Sequence, residues 1–112
     1  MCIFCSKIRP EQIIKENDLA FAIANINPKT EGHILVITKR HVPDFFGITD
    51  EEAVAVKQLT VEMKEYLLAQ DSSIIGFNIR TNVGKIAGQN IEHVHIHIVP
   101  RREGDGLSII GG

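Results

Sequence analysis

The sequence has no tryptophan, one tyrosine and two cysteines among its 112 residues. Long apolar runs are also missing, because charged residues interrupt each stretch before it reaches the roughly 20 residues that a membrane-spanning helix needs. The first residues do not show the basic, apolar and small-residue segments of a secretory signal. The sequence therefore predicts a cytoplasmic protein with no membrane partner.

A charge excess of either sign is missing as well. The chain carries 12 Lys plus Arg against 14 Asp plus Glu, a formal charge of -2, with no block of like charges. Polymeric nucleic acid is therefore not an expected partner, since it attracts clustered basic residues. Apolar residues make up 44% and charged residues 23%, as in ordinary globular proteins. We expect a single domain over residues 1–112, with a flexible tail over 104–112.

Strand-forming segments occur on both sides of a central helical segment. Residues 12–15 and 19–24 flank an Asn-Asp pair and predict a hairpin. Branched apolar residues predict a third strand over 33–38. Residues 73–81 and 91–99 predict two more, the last one ended by Pro100.

The helix is predicted from Thr49 to about Gln70, because Thr49 and Glu52 have the spacing of a capping box. One apolar stripe is expected to face the sheet: Ala53, Val56, Thr60, Met63 and Leu67. A second stripe belongs either to the core or to a contact with another subunit: Val54, Val61 and Leu68. Together the elements predict an α+β fold, with a mainly antiparallel sheet of about five strands, one long helix and a short N-terminal segment.

Three histidines, His93, His95 and His97, occupy alternate positions of the last predicted strand. Alternate side chains of a strand share one face, so we expect one face to carry the imidazoles and the other to be buried. Neighbouring imidazoles repel each other when protonated, and such a cluster therefore indicates a chemical role. Metal binding and acid-base or nucleophilic chemistry both remain open on this pattern.

The segment before these histidines is rich in glycine and in amide side chains. Gly84 and Gly88 allow tight turns, and neutral donors suit phosphate oxygens. The segment is therefore a candidate phosphate-binding loop, although a surface hairpin has a similar composition.

The two cysteines, Cys2 and Cys5, are too few and too close in sequence to form a disulfide framework. A redox pair of the thioredoxin type requires a helix that starts at the motif within a β-α-β unit, and Pro10 with the following hairpin does not fit that context. Metal binding is the better interpretation.

The sequence resembles the histidine-triad (HIT) family, which is named for the pattern H-x-H-x-H-x-x with apolar x. Within that family it resembles bacterial-type HIT hydrolases and the histidine-triad nucleotide-binding and fragile-histidine-triad branches. The resemblance implies a HIT-like fold, a homodimer, a purine nucleotide substrate and cleavage at the α-phosphorus through a covalent nucleotidyl-histidine. The matching segments are CIFC, NINP, GHILVI, KRH, NVG, AGQ, HVHIHIV and the Pro-Arg pair after it.

The resemblance also implies roles for individual residues. His95 matches the nucleophile, His97 the histidine that binds phosphate oxygens, and His33 a histidine behind the nucleophile, although His33 also suits the core. The expected nucleotide-binding set, which includes His95 and His97, adds Asn25 at the ribose, Ile26 with Phe4 or Ile8 at the base, and Asn82, Gly88, Gln89 and Asn90 at the phosphates. At position 90 many relatives carry Ser or Thr, whose hydroxyl passes a proton to the leaving group, and an amide cannot do this.

The resemblance further implies a structural zinc ion. In some bacterial HIT proteins the ligands are a C-x-x-C pair, a histidine after the third strand and the first triad histidine. The matching residues are Cys2, Cys5, His41 and His93. No catalytic cofactor is expected, because transfer to a histidine needs no metal.

Three hypotheses about function follow. The first is a hydrolase or transferase that acts on purine nucleoside phosphoramidates, dinucleoside polyphosphates or aminoacyl adenylates. The second is a nucleotide-binding, AMP-sensing module with little turnover. The third is a metal-binding protein in which all three triad histidines are ligands.

Overall fold

A five-stranded antiparallel sheet carries one long helix on one face and a short N-terminal helix on the other. The structure, a computed structural model, describes residues 2–108. The helices are α1 (Ile3–Ser6) and α2 (Asp50–Gln70); the strands are β1 (Ile13–Glu16), β2 (Ala20–Ala24), β3 (Ile34–Thr38), β4 (Gly76–Arg80) and β5 (His95–Arg101). The sheet order is β1-β2-β3-β5-β4. The predicted α+β architecture is confirmed.

The last strand differs most from its prediction. It begins at His95 rather than at residue 91, and it continues through Pro100 to Arg101. Proline is tolerated there because the ladder with β3 ends at the pair Ile34 and Ile98, so the missing N–H leaves no group of β3 unpaired. His93 consequently lies before the strand and not within it.

The other strands are shifted or shortened. β1 and β2 begin one residue later than predicted, and β3 begins at Ile34. β4 covers only Gly76–Arg80, because Asp71 ends the helix and turns the chain: its side chain accepts hydrogen bonds from the N–H and hydroxyl of Ser73 at 2.9 and 2.6 Å.

The predicted helix and its capping box are confirmed. The Glu52 N–H donates to Thr49 Oγ1 at 3.1 Å, and the Thr49 N–H donates to Glu52 Oε1 at 2.8 Å. The predicted inner stripe is wrong in part, because Ala53 is exposed and Thr60 is only half-buried. The buried face consists of Glu52, Ala55, Val56, Leu59, Met63 and Leu67. The second stripe is not core, since Val54, Val61 and Leu68 are 57%, 39% and 41% exposed.

Apolar clusters cover both faces of the sheet. The cluster under α2 includes Val36, Leu59 and Ile98. The opposite cluster contains Phe4, Phe21, Ile23, Leu35 and Ile37. The expectation that one face is buried and the other purely chemical is therefore wrong, because the histidines border a second core that the N-terminal segment closes.

The described part of the predicted flexible tail contacts the end of β5. Arg101 Nε donates to Asp105 Oδ2 at 2.7 Å, and Arg101 Nη2 donates to the Leu107 carbonyl at 2.9 Å. Residues 109–112 lie outside the described residues, so flexibility of the tail stays a prediction. Within residues 2–108, no helix has the length and apolar character that crossing a membrane requires.

Candidate active site and metal site

His95 and His97 lie side by side on β5, between β3 and β4. In the ladder His95 is opposite Ile37 and His97 is opposite Leu35. Both imidazoles are half-buried, and their ring centroids are 5.2 Å apart in an edge-to-face arrangement. Strand alternation thus places the two residues expected to act on a phosphate on one face.

The hydrogen bond of His95 determines which of its ring nitrogens is free. Nδ1 lies 2.8 Å from the backbone carbonyl of His93, which can only accept, so Nδ1 carries the proton. Nε2 then holds an unprotonated lone pair. The backbone of this position is also anchored, since Thr81 Oγ1 donates to the His95 carbonyl at 2.8 Å. This arrangement makes a neutral imidazole a competent nucleophile.

A chain of three hydrogen-bonding groups determines the tautomer of His97. The backbone N–H of Lys29 donates to His33 Nδ1 at 3.0 Å, so the proton of neutral His33 is on Nε2. That nitrogen lies 3.0 Å from His97 Nδ1 and donates to it. The proton of His97 is therefore on Nε2, where it can be donated to a bound anion.

Burial keeps this chain neutral at physiological pH. Desolvation lowers the pKa of His33 to about 4, with a further contribution from the positive charge of Arg80. Desolvation also lowers the pKa of His97 to about 4, with His95 and Arg80 as smaller causes. Both imidazoles are thus hydrogen-bonding groups and not cations at pH 7.

The candidate phosphate-binding loop is held together by Gln89. Its Oε1 accepts from the Gly84 N–H at 3.0 Å, and its Nε2 donates to the carbonyls of Pro43 and Ile91 at 2.6 and 3.0 Å. Its own N–H donates to the Gly84 carbonyl at 3.1 Å. Gln89 therefore has no free donor for a ligand and shapes the loop instead.

Other residues of the loop leave donors exposed. Asn90 is exposed and Asn82 half-buried, and Asn82 Nδ2 is 3.4 Å from the Gly88 carbonyl. Gly88 has φ +97°, and a Cβ there would lie 3.2 Å from Asn82 Nδ2, so this position requires glycine.

A cavity of about 260 Å³ lies beside Asn90, between this loop and the segment that follows β3. Eight residues line it: Pro43, Asp44, Val83, Gly84, Lys85, Gln89, Asn90 and Glu92.

Asn25 and Ile26 follow β2 beside His33. Asn25 Nδ2 lies 3.4 Å from His33 Nε2, and its Oδ1 accepts from the Asn27 N–H at 3.1 Å. Ile26 is 87% exposed. The structure therefore brings Asn25 close to the histidine chain and leaves Ile26 as an apolar surface next to it.

The first triad histidine belongs to a different cluster. His93 Nδ1 lies 3.4 Å from Cys2 Sγ, 3.5 Å from Cys5 Sγ and 3.2 Å from His41 Nδ1. Cys5 Sγ is 3.2 Å from His41 Nδ1, and the four ligand atoms lie within 4.8 Å of one another. A tetrahedral site with zinc's bond lengths separates its ligand atoms by roughly 3.3 Å between two nitrogens and about 3.6 Å between nitrogen and sulfur. The cluster therefore fits a metal ion.

The orientation of His93 also fits a metal ligand. Its Nε2 donates to the Thr38 carbonyl at 2.7 Å, which leaves the Nδ1 lone pair directed into the cluster. Burial is the main cause that lowers the pKa of His93, and it favours the neutral form that binds metals. His95 and His97 use Nδ1 elsewhere, so the hypothesis that all three triad histidines bind one ion is not supported by the geometry.

Several groups of the site were missed at the sequence level. The Lys29 N–H and the carbonyls of His93 and Thr38 are backbone groups, which carry no side-chain signal. Phe4 was expected at the base, but its contact with His95, 5.2 Å between ring centroids at an interplanar angle of 69°, was not predicted.

Comparisons with known proteins find similarity to a single family. The family model of the HIT domain matches residues 6–104. An uncharacterised HIT-like protein of Methanocaldococcus jannaschii is 41% identical over 95% of this chain and 83% of that protein. Adenosine 5'-monophosphoramidase of Saccharomyces cerevisiae is 35% identical over 98% of this chain and 68% of that protein. Bis(5'-adenosyl)-triphosphatase of Dictyostelium discoideum is 37% identical over 88% of this chain and 65% of that protein.

Solved structures show the same fold. A HIT family protein from Bacillus anthracis superposes with a TM-score of 0.87 at 33% identity, over 99% of this chain and 81% of that chain. A zinc-bound histidine triad family protein from Mycobacterium smegmatis superposes with a TM-score of 0.83 at 35% identity, over 96% of this chain and 79% of that chain. The HIT-like fold expected from the sequence is thereby confirmed.

Proposed function

Because the chain belongs to the HIT family, we propose that it is a nucleotide hydrolase or transferase that cleaves at the α-phosphorus of purine nucleoside phosphoramidates or dinucleoside polyphosphates. The general activity is supported by relatives whose names describe a phosphoramidase and a triphosphatase of adenosine compounds. The reaction proceeds through a covalent nucleotidyl-His95 intermediate.

The observation that carries this proposal is the 2.8 Å contact between His95 Nδ1 and the His93 carbonyl. It holds the proton on Nδ1 and leaves Nε2 free to attack.

The reaction has two steps. In the first step the N–P bond forms and the bond from phosphorus to the leaving group breaks; the leaving group keeps the electron pair and takes a proton from water. In the second step water attacks phosphorus, the N–P bond breaks, the nucleoside monophosphate is released and the proton of the attacking water passes to solvent. Two displacements of lower barrier thus replace a single difficult one.

His97 and His33 act together on the developing charge. His97 Nε2–H donates to a phosphate oxygen, and His33 keeps His97 in the tautomer that can donate. A donor whose direction is fixed before the reaction stabilises the transition state without reorganisation.

The remaining nucleotide contacts come from both sides of the histidines. Asn25 binds the ribose and Ile26 packs on the base. Asn82 and Asn90 present side-chain donors to the phosphates. Gly88, whose N–H already donates to the Lys85 carbonyl at 3.0 Å, contributes the close approach of a backbone without a side chain, and Gln89 contributes by holding the loop to the Pro43 carbonyl.

We further propose a structural zinc ion held by Cys2, Cys5, His41 and His93. When bound, the ion cross-links the N-terminal segment to the sheet. The relative from Mycobacterium smegmatis described as zinc-bound supports this choice of metal.

A homodimer completes the proposal. Two observations support it: the exposed stripe of Val54, Val61 and Leu68 on α2, and the position of β4 at an edge of the sheet. Cytoplasmic location stays a prediction from the sequence.

A turnover panel tests the activity. Adenosine phosphoramidate, diadenosine polyphosphates and an aminoacyl adenylate are supplied to the wild-type protein and to His95→Asn, and intact mass is measured after rapid quenching. We expect turnover and one AMP adduct per chain in the wild type, both lost in the variant. Turnover retained by His95→Asn contradicts the proposed nucleophile.

The second candidate function, an AMP-binding module with little turnover, is favoured by one residue. Asn90 replaces the hydroxyl residue that many relatives use as a proton donor, so expulsion of a basic leaving group is slow here. Tight AMP binding without turnover across the panel, with Asn90→Ser raising the rate, supports this alternative.

A further inference from the structure

We infer that the metal-binding cluster positions the nucleophile: the cluster fixes His93 and Phe4, and these two residues orient His95. The inference rests on the proposed role of His95, and it assigns a catalytic consequence to a site that otherwise only cross-links the chain. His93 and Phe4 are positioning residues in this account.

The first connection runs through the backbone of His93. Its side chain belongs to the cluster, with Nδ1 3.2 to 3.5 Å from the three other ligand atoms. Its carbonyl accepts the proton of His95 Nδ1 at 2.8 Å. A shift of the His93 imidazole therefore moves the group that sets the tautomer of His95.

His93 precedes β5 and takes no part in the ladder, so its position depends on its side chain, whose Nε2 also donates to the Thr38 carbonyl at 2.7 Å, and on the backbone beside it. The adjacent Val94 N–H donates to the Val42 carbonyl at 2.7 Å, and Val42 directly follows the ligand His41. The backbone beside His93 is thus bonded to a segment that bears a ligand.

The second connection runs through Phe4. It lies between Cys2 and Cys5 on α1, a helix of 4 residues that is too short to be stable alone. Its buried ring contacts His95 at 5.2 Å and His93 at 5.8 Å between centroids, edge-on in both cases. Thiolates bound to a common ion hold α1 on the sheet and therefore hold this ring against the nucleophile.

Without a cation only hydrogen bonds hold the cluster together. The single lone pair of His93 Nδ1 accepts from one donor at a time, either His41 Nδ1 at 3.2 Å or a thiol at 3.4 to 3.5 Å. Separation of these groups releases α1 and the His93 carbonyl together. Among residues 2–108 no hydrogen bond joins Asn25 or the 82–90 loop to Cys2, Cys5, His41 or His93, so binding of AMP is expected to change little while reaction at His95 slows.

The first experiment compares the zinc-loaded protein with the chelator-stripped protein and with Cys5→Ser. Three quantities are measured: the single-turnover rate of AMP adduct formation at saturating donor, the affinity for AMP by calorimetry, and the His95 tautomer by long-range ¹H–¹⁵N NMR. We expect the rate to fall at least about tenfold on stripping, in line with the effect of small misplacements of reacting groups. AMP affinity should stay about the same, a second His95 tautomer should appear, and added Zn²⁺ should restore rate and tautomer in the wild type only.

The second experiment keeps the metal and changes Phe4. Phe4→Ala should slow adduct formation with zinc stoichiometry unchanged, and Phe4→Leu should recover part of the rate. Ile3→Ala is the matched control, since Ile3 is a neighbour on α1 that is 40% exposed. Phe4→Ala and Ile3→Ala both keep the metal ligands, so their comparison tests the inference even if the metal-free protein unfolds.

The inference is overturned if stripped protein and Phe4→Ala both react at the wild-type rate with a single His95 tautomer. Failure of the proposed function is a different result: the zinc-loaded wild type then forms no adduct. In that case the His95 tautomer still decides whether the cluster positions this imidazole. The tautomer is compared between the zinc-loaded and the stripped protein, and between the wild type and Phe4→Ala.

Discussion

At the scale of single residues, the site depends on where three imidazole protons lie. Alternation in the sequence predicted all three triad histidines on one face of a strand, and the structure has only His95 and His97 on that strand. It could not give their tautomers, because these depend on the His93 carbonyl and the Lys29 N–H, which are backbone groups brought in by the fold. The same limit explains why His93 was predicted on the strand while the structure places it before the strand, in the metal-binding cluster.

Removal of the donor behind His97 should slow the reaction more than it weakens binding. In His33→Phe no group donates to His97 Nδ1, so His97 is free to take the tautomer that cannot donate from Nε2. We expect kcat to fall by about tenfold to a hundredfold, the effect of losing part of one oriented donor. The measurement is steady-state kinetics together with AMP affinity. His33→Gln, which keeps an N–H donor, is the control and should retain more activity; equal losses in the two variants would count against the tautomer chain.

Burial favours the neutral forms of His33 and His97, and this makes the free energy of unfolding depend on pH in a defined direction. Both pKa values are lowered to about 4 in the folded protein, against roughly 6.5 for an unfolded histidine. Between these values the unfolded chain binds more protons, so the free energy of unfolding rises with pH, and the stability is lost as pH falls from 6.5 towards 4.

This dependence is measured by urea unfolding from pH 4 to pH 7, with chelator present throughout so that metal release does not contribute. The double variant His33→Gln, His97→Asn should show a flatter dependence over this window. An unchanged slope would show that other groups cause the acid sensitivity.

At the scale of elements, the start of α2 was the most predictable feature and the last strand the least. The capping box needs only Thr49 and Glu52, which are close in sequence, whereas the bounds of β5 depend on where β3 ends beside it. The helix face was displaced from its prediction because Glu52, a charged residue, is buried in place of Ala53.

Glu52 should be important for the stability of the helix start and of the segment after β3. It is 3% exposed and accepts from Arg40 at 2.8 and 3.1 Å and from the Thr49 N–H, and the hydrogen bond from Arg40 is the main cause that lowers its pKa. Glu52→Gln should lower the free energy of unfolding by about 2 kcal/mol. Thr49→Ala, which removes only the cap, should lower it by about 1 kcal/mol.

Denaturant titration measures both values. Glu51→Gln is the matched control, because Glu51 is exposed at the same turn. A loss in Glu51→Gln as large as that in Glu52→Gln would mean that general helix charge, and not the buried pair with Arg40, is responsible.

At the scale of the whole molecule, the exposed stripe on α2 predicts self-association. Val61→Glu places a charge in the middle of this stripe and should convert the dimer into a monomer, because burial of an unpaired carboxylate opposes association. Light scattering coupled to size-exclusion chromatography gives the mass. Leu19→Glu, at a site 36% exposed outside the stripe, is the control. A wild-type protein that is monomeric at all concentrations contradicts the proposed dimer. A Val61→Glu variant that remains dimeric contradicts the stripe as its interface and leaves the edge strand β4.

The interior position of β5 in the sheet has a consequence for how the molecule opens. β5 is bonded on one edge to β3 and on the other to β4, whereas α1 has one turn and no sheet partner. Amide hydrogens of residues 96–98 should therefore exchange with deuterium slowest, near the rate of global unfolding, and those of residues 4–6 fastest among the helices. The protein can then release and recapture its N-terminal segment many times without once unfolding the strand that bears His95.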